Sequence, residues 1–457
     1  AVMLRRSSTR LSSLARLTPQ GGVHGTLSNQ QPRQWRAMPL LNIAGEKQYF
    51  KTGVEAVQLL VNEAKRRDFH KEHYIETFES YLNSLTPVFD RVPRYAWLAK
   101  IFLEPERALQ FRVAYLDDHG AVRTHRGYRV QYSSTLGPYE GPLHFAPMID
   151  SDMVKGMAFS ATFQNALTGA RIGGAAGGSN FDPARASEAE IQRFCQAYMS
   201  ELAKYIGEGT DMPSIGCGVG RAEVGYLYGQ YKRASNLFSQ HGRGLLWGGA
   251  MTHTEAFGYG VVSFAKHMLA DRGETLAGKR CLITGSGKIA LAVAHRLILE
   301  GAIPLTFSDR SGHVYEPGGI AEPKMRQVAQ IKSERGARIG RYIIASTTAK
   351  FNDPPSIFDI PCDLVFPCAQ TGEISLEGAT TLSNNGCQAV IEGAHAPSTV
   401  CAVKSYKKLG IAYAPYKATL AAGTSVMSEC SNDELSQTTL IQKLDEKSLA
   451  VRKPGLF

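Results

Sequence analysis

Arg280-Cys-Leu-Ile-Thr284-Gly285-Ser-Gly287-Lys-Ile-Ala290 decides the fold of this chain: a short apolar strand enters a glycine turn, and the turn opens a helix running from Leu291 to Leu299. Phe307-Ser308-Asp309 ends the next apolar run, about 20 residues further on, the offset expected of an acidic ribose partner. A lone Gly-x-Gly-x-x-Ala is a weak signal. Between a strand and a helix it reads as a dinucleotide-binding turn, because glycines permit close backbone approach and the helix N-terminus faces a pyrophosphate. Gly285, Ser286, Gly287, Lys288 and Ile289 are the expected cradle, for NAD or NADP. Asp309 suits a ribose hydroxyl and Arg310 a 2′-phosphate, with Ser308 beside them; a solvated loop is the alternative for this pair.

Downstream, Tyr342-Ile-Ile344, Cys362-Asp-Leu-Val-Phe366, Ala389-Val-Ile391 and Ile411-Ala-Tyr413 are strand-like runs between helical or loop segments, as a parallel sheet requires. Upstream, Val54, Val57, Leu60, Val61 and Ala64 recur at helical spacing, and alternation at Phe111 to Tyr115 and Tyr128 to Tyr132 predicts strands. Helices are expected over 150–167 and 187–206, flanking the glycine-rich Gly173 to Gly178. The expected fold is α/β, with a mixed-sheet domain over 47–245, a Rossmann-like domain over 246–434 and a short tail over 435–457.

With 457 residues, 43% of them hydrophobic and 20% charged, the chain can fill two globular cores. No apolar run is long enough to span a bilayer. The eight cysteines form no Cys-x-x-Cys pair, which argues for buried reduced thiols over disulfides or zinc. The net charge of +10 is unevenly placed: residues 1–46 carry Arg5, Arg6, Arg10, Arg16, Arg33 and Arg36 against Glu46 alone. That composition, rich in Arg and Ser, predicts a mitochondrial transit peptide and a matrix location, with a solvated tail as the alternative.

Several stretches, in order, closely resemble the hexameric NADP-type glutamate dehydrogenases. They include Leu103-Glu-Pro-Glu-Arg107, Arg126-Gly-Tyr-Arg-Val-Gln-Tyr132, Tyr226-Leu-Tyr-Gly-Gln-Tyr-Lys232, Glu255-Ala-Phe-Gly-Tyr-Gly260 and Glu392-Gly-Ala-His-Ala-Pro-Ser-Thr399. The resemblance spans roughly residues 55–434. It implies a reaction between 2-oxoglutarate, ammonia and a nicotinamide cofactor, with lysines for the substrate carboxylates, a lysine on the reacting carbonyl and an aspartate for proton transfer.

Each of these posts differs here. Glu140 stands in Gly137-Pro-Tyr-Glu-Gly-Pro142 where the family has lysine, and Gln164 replaces a second lysine. Ala176 holds the catalytic lysine position and Gly216 that of the aspartate. His144, Phe257 and His395 are further departures, while Lys417 matches the family. The sequence therefore predicts a catalytically inactive relative serving as a structural or accessory subunit of a large mitochondrial assembly, either the ribosome, with rRNA against the basic arm, or a respiratory complex. An NAD(P)-binding sensor and a dehydrogenase with altered chemistry, using Cys217, His144, His253 or His395, are the alternatives. Self-association is left open.

Overall fold

The computed structural model describes residues 40–42, 45–207, 209–235, 253–334, 336–352, 356–429 and 436–452. The six arginines of the basic arm, the expected boundary at 245–246 and the side chain of His253 lie outside the described residues. Strand β1 (Leu40–Leu41) pairs with β2 (Lys47–Gln48). Helix α1 (Gly53–Arg67) starts where the Thr52 hydroxyl accepts the Glu55 N–H. Helices α2 (Glu72–Arg91) and α3 (Tyr95–Ile101) follow.

The first sheet comprises β3 (Arg107–Leu116), β4 (Val122–Ser133), β5 (Tyr139–Phe145), β6 (Gly174–Ser179) and β7 (Asp211–Ser214), in the order β3-β4-β6-β5-β7. It is mixed: β3, β4 and β6 pair antiparallel, while β5 runs parallel to both β6 and β7. Helix α4 (Ser151–Leu167) covers one face, and α5 (Glu188–Leu202) with α6 (Arg221–Ser235) covers the other. The glycines of β6 let α4 approach: a Cβ on Gly174 would lie 2.1 Å from the Thr162 hydroxyl oxygen.

Helix α7 (His253–Ala270) leads into β8 (Arg280–Ile283), α8 (Lys288–Leu299), β9 (Ile303–Pro304), β10 (Thr306–Asp309), β11 (Gly312–Tyr315), α9 (Glu322–Ser333) and β12 (Lys350–Asn352). Then come β13 (Leu364–Phe366), α10 (Leu376–Asn384), β14 (Ala389–Ile391), α11 (Val400–Tyr406), β15 (Ala412–Ala414), α12 (Tyr416–Thr419), α13 (Ala421–Glu429) and α14 (Gln437–Arg452). The order β15-β14-β13-β8-β9 is parallel throughout, as the βα alternation requires. A separate antiparallel sheet, β10-β11-β12, carries Asp309 on its first strand.

One expected strand is corrected. Tyr342-Ile-Ile344 lies in a 3-10 helix, Ile339–Ala345, because its apolar burial follows a three-residue turn: Ile339 and Tyr342 are buried while Ile344 is 89% exposed. The chain after Ser436 forms α14, whose Asp445 carboxylate accepts from Ser263 of α7 at 2.5 Å and from Lys266 at 3.2 Å. Among the described residues no helix is long and apolar enough to cross a membrane.

Candidate functional site

Gly285 sits at φ +80°, where a Cβ would lie 2.9 Å from the Cys368 carbonyl oxygen. Its N–H donates to Ser308 Oγ at 2.7 Å, and the Ser308 N–H returns to its carbonyl at 3.0 Å, so the turn and the end of β10 hold one another. Gly287 is the N-cap of α8 and supplies no side-chain cap, and among the described residues nothing lies within 4 Å of where its Cβ would be. The first N–H groups of α8 therefore open onto free space suited to a diphosphate. Ser286 is buried and Lys288 is exposed at the first helical position.

Asp309 is fully engaged by its own loop, by α9 and by the 3-10 helix. One oxygen accepts from Ser311 N at 2.8 Å and Ser311 Oγ at 2.5 Å; the other accepts from Ile339 N at 2.8 Å and Lys332 Nζ at 3.2 Å. Burial alone would raise its carboxyl, but these donors together hold it below the usual carboxylate range. Arg310 is exposed beside it, close enough to Cys217 of the first domain to act on that thiol. Glu373, half-buried behind the turn and accepting from Thr284 Oγ1 at 2.8 Å, is pushed up to about 7 by desolvation.

On β5, alternation places Leu143 and Phe145 in the core beneath α5 and Glu140 and His144 together on the opposite face. Glu140 is buried, with its backbone carbonyl accepting from Asn165 Nδ2 at 3.1 Å. Gln164 reaches across to the second domain, donating to Thr424 Oγ1 at 3.1 Å. Ala176 is fully buried among Val130, Tyr132 and Phe159 and presents no functional atom. A Cβ on Gly216 would lie 2.3 Å from the Leu143 carbonyl oxygen and 2.9 Å from both Cε1 and Nδ1 of His144. The imidazole of His144 thus occupies the space that a side chain at 216 would need. Its Nδ1 accepts the Cys217 N–H at 3.0 Å, which places the ring proton of the neutral form on Nε2.

A second set of groups closes the seam between the two domains. His395 Nε2 and Ser160 Oγ are 3.2 Å apart, and Ser160 Oγ and the Tyr416 hydroxyl are also 3.2 Å apart. Lys417 Nζ lies 3.7 Å from the centroid of the Tyr81 ring, and burial pulls its ammonium down to about 8. Ala396, beside His395, has φ 44°, the one positive φ outside glycine among the described residues, which marks a backbone held in strain at this seam. Sequence reasoning singled out His144 and His395 but missed His73, Ser160 and Tyr416, whose roles depend on contacts as remote as 256 positions.

Burial holds His144 down at about 4 and, with the charges of His73, His144 and Lys417, holds His395 at about 3. Below the ordinary histidine value of about 6.5 the unfolded chain takes up these protons first, so this stability is present above pH 6.5 and is lost as the pH falls. Glu373, with its raised value, works in the opposite sense. Replacing His395 by asparagine is expected to remove about 2 kcal/mol of the stability lost between pH 7 and pH 5. Urea unfolding at both pH values reads the difference, and equal losses in parent and variant would contradict the burial of a neutral ring.

The description "Glu/Leu/Phe/Val dehydrogenase, dimerisation domain" matches residues 105–233, and "Glutamate/Leucine/Phenylalanine/Valine dehydrogenase" matches residues 248–449. An NADP-specific glutamate dehydrogenase of Chlorella sorokiniana is 41% identical over 372 residues, 80% of this chain and 71% of that one. One from Giardia intestinalis is 37% identical over 409 residues, 88% and 91% of the two chains. The crystal structure of Plasmodium falciparum glutamate dehydrogenase superposes with a TM-score of 0.82 at 38% identity, covering 87% of each chain.

These likenesses overturn the expectation of an inactive structural or accessory subunit of a mitochondrial ribosome or respiratory complex. The relatives are named as NADP-specific glutamate dehydrogenases, they are matched along most of their length, and none of them is named as part of such an assembly. The physical reason is that four side chains do not speak for the whole chain: the dinucleotide turn and both sheets are in place.

Proposed function

The chain belongs to the Glu/Leu/Phe/Val dehydrogenase family, and we propose that it is an NADP(H)-linked amino-acid dehydrogenase whose substrate carries one carboxylate rather than glutamate's two. The observation that carries the cofactor half is the state of Asp309. All its acceptor capacity is spent on Ser311, Ile339 and Lys332, so it is poorly placed to hold a ribose 2′-hydroxyl, while the exposed Arg310 offers a cation to a 2′-phosphate. The residues present fit such a group: Gly285 and Gly287 clear the approach, and the open first turn of α8 supplies N–H donors. When bound, the nicotinamide would supply or accept a hydride. The chain's own residues orient it: Ser308 braces the turn, and Lys288 at the head of α8 extends to within 3.2 Å of where a Cβ on Gly220 of the first domain would be.

The substrate half rests on Glu140. A buried carboxylate at 140 disfavours a second negative group on the substrate, which supports a monocarboxylate. The basic arm supports delivery to the mitochondrial matrix, and the matched dimerisation domain supports self-association.

Fluorescence titration of the purified chain should give tighter binding of NADPH than NADH by at least about tenfold, the scale of one charge-assisted contact of about 1.5–3 kcal/mol. Arg310→Ala should weaken NADPH and leave NADH nearly unchanged. Equal affinities for the two cofactors would remove the basis of the NADP assignment.

A further inference from the structure

The carboxyl ends of β8 and β13 lie side by side, and the dinucleotide turn is built on the first of them. Thr284, the residue between β8 and Gly285, is tied to the β13 side through both its backbone and its hydroxyl. Its N–H donates to the Phe366 carbonyl at 3.2 Å, its Oγ1 accepts the Cys368 N–H at 2.9 Å, and the same hydroxyl donates to Glu373 Oε1 at 2.8 Å. Glu373 Oε1 also accepts the Ala369 N–H at 3.4 Å. The turn itself is equally close to this loop, since a Cβ on Gly285 would lie 2.9 Å from the Cys368 carbonyl oxygen. An acid is thus hydrogen-bonded to the residue that precedes the phosphate turn.

A carboxylate at this place works against the ligand that the turn is shaped for. The first N–H groups of α8 favour a negative diphosphate, and a negative charge directly behind the turn repels it. The fold disfavours that charge. Desolvation is the largest cause, and the charge of Glu392, directly after β14, adds to it, against the hydrogen bonds from Thr284 and from the Ala369 and Gln370 N–H groups. The outcome is a half-buried carboxyl that titrates at about 7. The other groups facing it are the Cys368 thiol and the Tyr406 hydroxyl, both pushed up by burial and neutral at that pH.

We propose that Glu373 is a proton-linked positioning residue for the dinucleotide: protonated, it braces Thr284 behind the diphosphate, and ionised, it sets a negative charge against it. Binding of the cofactor therefore draws a proton from solvent onto Glu373. The carboxyl acts through the turn and touches no reacting atom. The link rests on the reading of Gly285 to Ala290 as a nicotinamide-dinucleotide cradle.

The test is calorimetric titration of the full chain with NADPH and with NADH, from pH 6 to pH 8, in two buffers of different ionisation enthalpy. Proton uptake is expected with both cofactors, because the diphosphate is common to them. A tenfold preference of the cofactor for the chain protonated at Glu373 makes the affinity fall about fivefold between pH 6 and pH 8. Glu373→Gln keeps an acceptor for Thr284 and removes the titration, so it should abolish that share of the fall together with the matching proton uptake. Lys417, held at about 8, and the 2′-phosphate of NADPH also titrate near this range and are common to parent and variant. His144 and His395, at about 4 and about 3, titrate below it. Thr284→Val deletes a hydrogen bond that lowers the Glu373 value and should move the midpoint of the affinity profile upward. A role confined to holding the loop predicts that parent and Glu373→Gln lose affinity in parallel across pH, and that result overturns the proton link, as does an unmoved midpoint in Thr284→Val. Failure of both cofactors to bind the parent sinks the cradle reading and the link with it, whereas binding whose pH profile ignores Glu373→Gln sinks the link alone.

Discussion

Replacing Asp211 by alanine lowers the free energy of unfolding by about 3–5 kcal/mol, the cost of leaving a buried cation without its counter-charge. Arg129 and Asp211 have no exposed side-chain surface. The guanidinium grips the carboxylate with two nitrogens, one of them Nε at 2.9 Å from Oδ2, and Nη1 also donates to the Gly141 carbonyl at 3.0 Å. Gln131 Nε2 adds a third donor to Oδ2 at 2.8 Å. Removal of the carboxylate strands all three. The pair links β4 to β7 beneath the strand that carries Glu140 and His144, so the loss should also loosen the approach of the Cys217 loop to His144. Asp211→Asn keeps acceptor geometry and should lose less, and a double replacement of both residues by apolar ones of similar volume should recover much of the loss. Guanidinium unfolding of the three variants decides it. A loss under 1 kcal/mol for alanine would mean that water reaches Arg129.

What the sequence made legible was local. The turn at Gly285 to Ala290 is recognised because a dinucleotide cradle is built from consecutive residues, and its strand and helix lie directly on either side. The helical periodicity of α1 and the first-turn acids of α5 likewise need no distant partner. The 3-10 helix at Ile339–Ala345 is not legible in the sequence because three consecutive apolar residues carry no period, and only the partner surface shows which of them is buried. Gly216 shows the harder limit. Its missing side chain is visible in the sequence, but not that the imidazole of His144, 72 positions earlier, takes up the space. Read alone, Gly216 is an empty position; read with His144, it is a position whose space is filled. The same holds for Ser160 and His395, which join across 235 positions to close the seam.

The second large effect is on substrate choice. Given NADPH and ammonium, the chain should favour a 2-oxo acid with an uncharged side chain, such as 2-oxoisocaproate, over 2-oxoglutarate by at least about thirtyfold in kcat/KM. The figure follows from a repulsion of about 2 kcal/mol between unit charges about 8 Å apart at an effective dielectric near 20. Glu140→Gln removes the charge while keeping the shape, so it should narrow the preference about tenfold or more, chiefly through KM for 2-oxoglutarate, with little change for the monocarboxylate. Rebuilding glutamate chemistry one residue at a time should fail for steric reasons. Lysine at 176 would be driven into the fully buried cluster of Val130, Tyr132 and Phe159, and aspartate at 216 would meet the Leu143 carbonyl and the His144 ring. Gly216→Asp should therefore cost stability without raising 2-oxoglutarate turnover, unless His144 is also made small. Equal kcat/KM for the two 2-oxo acids in the parent chain, or a gain in 2-oxoglutarate turnover from Ala176→Lys alone, would show that the cleft still accommodates the dicarboxylate.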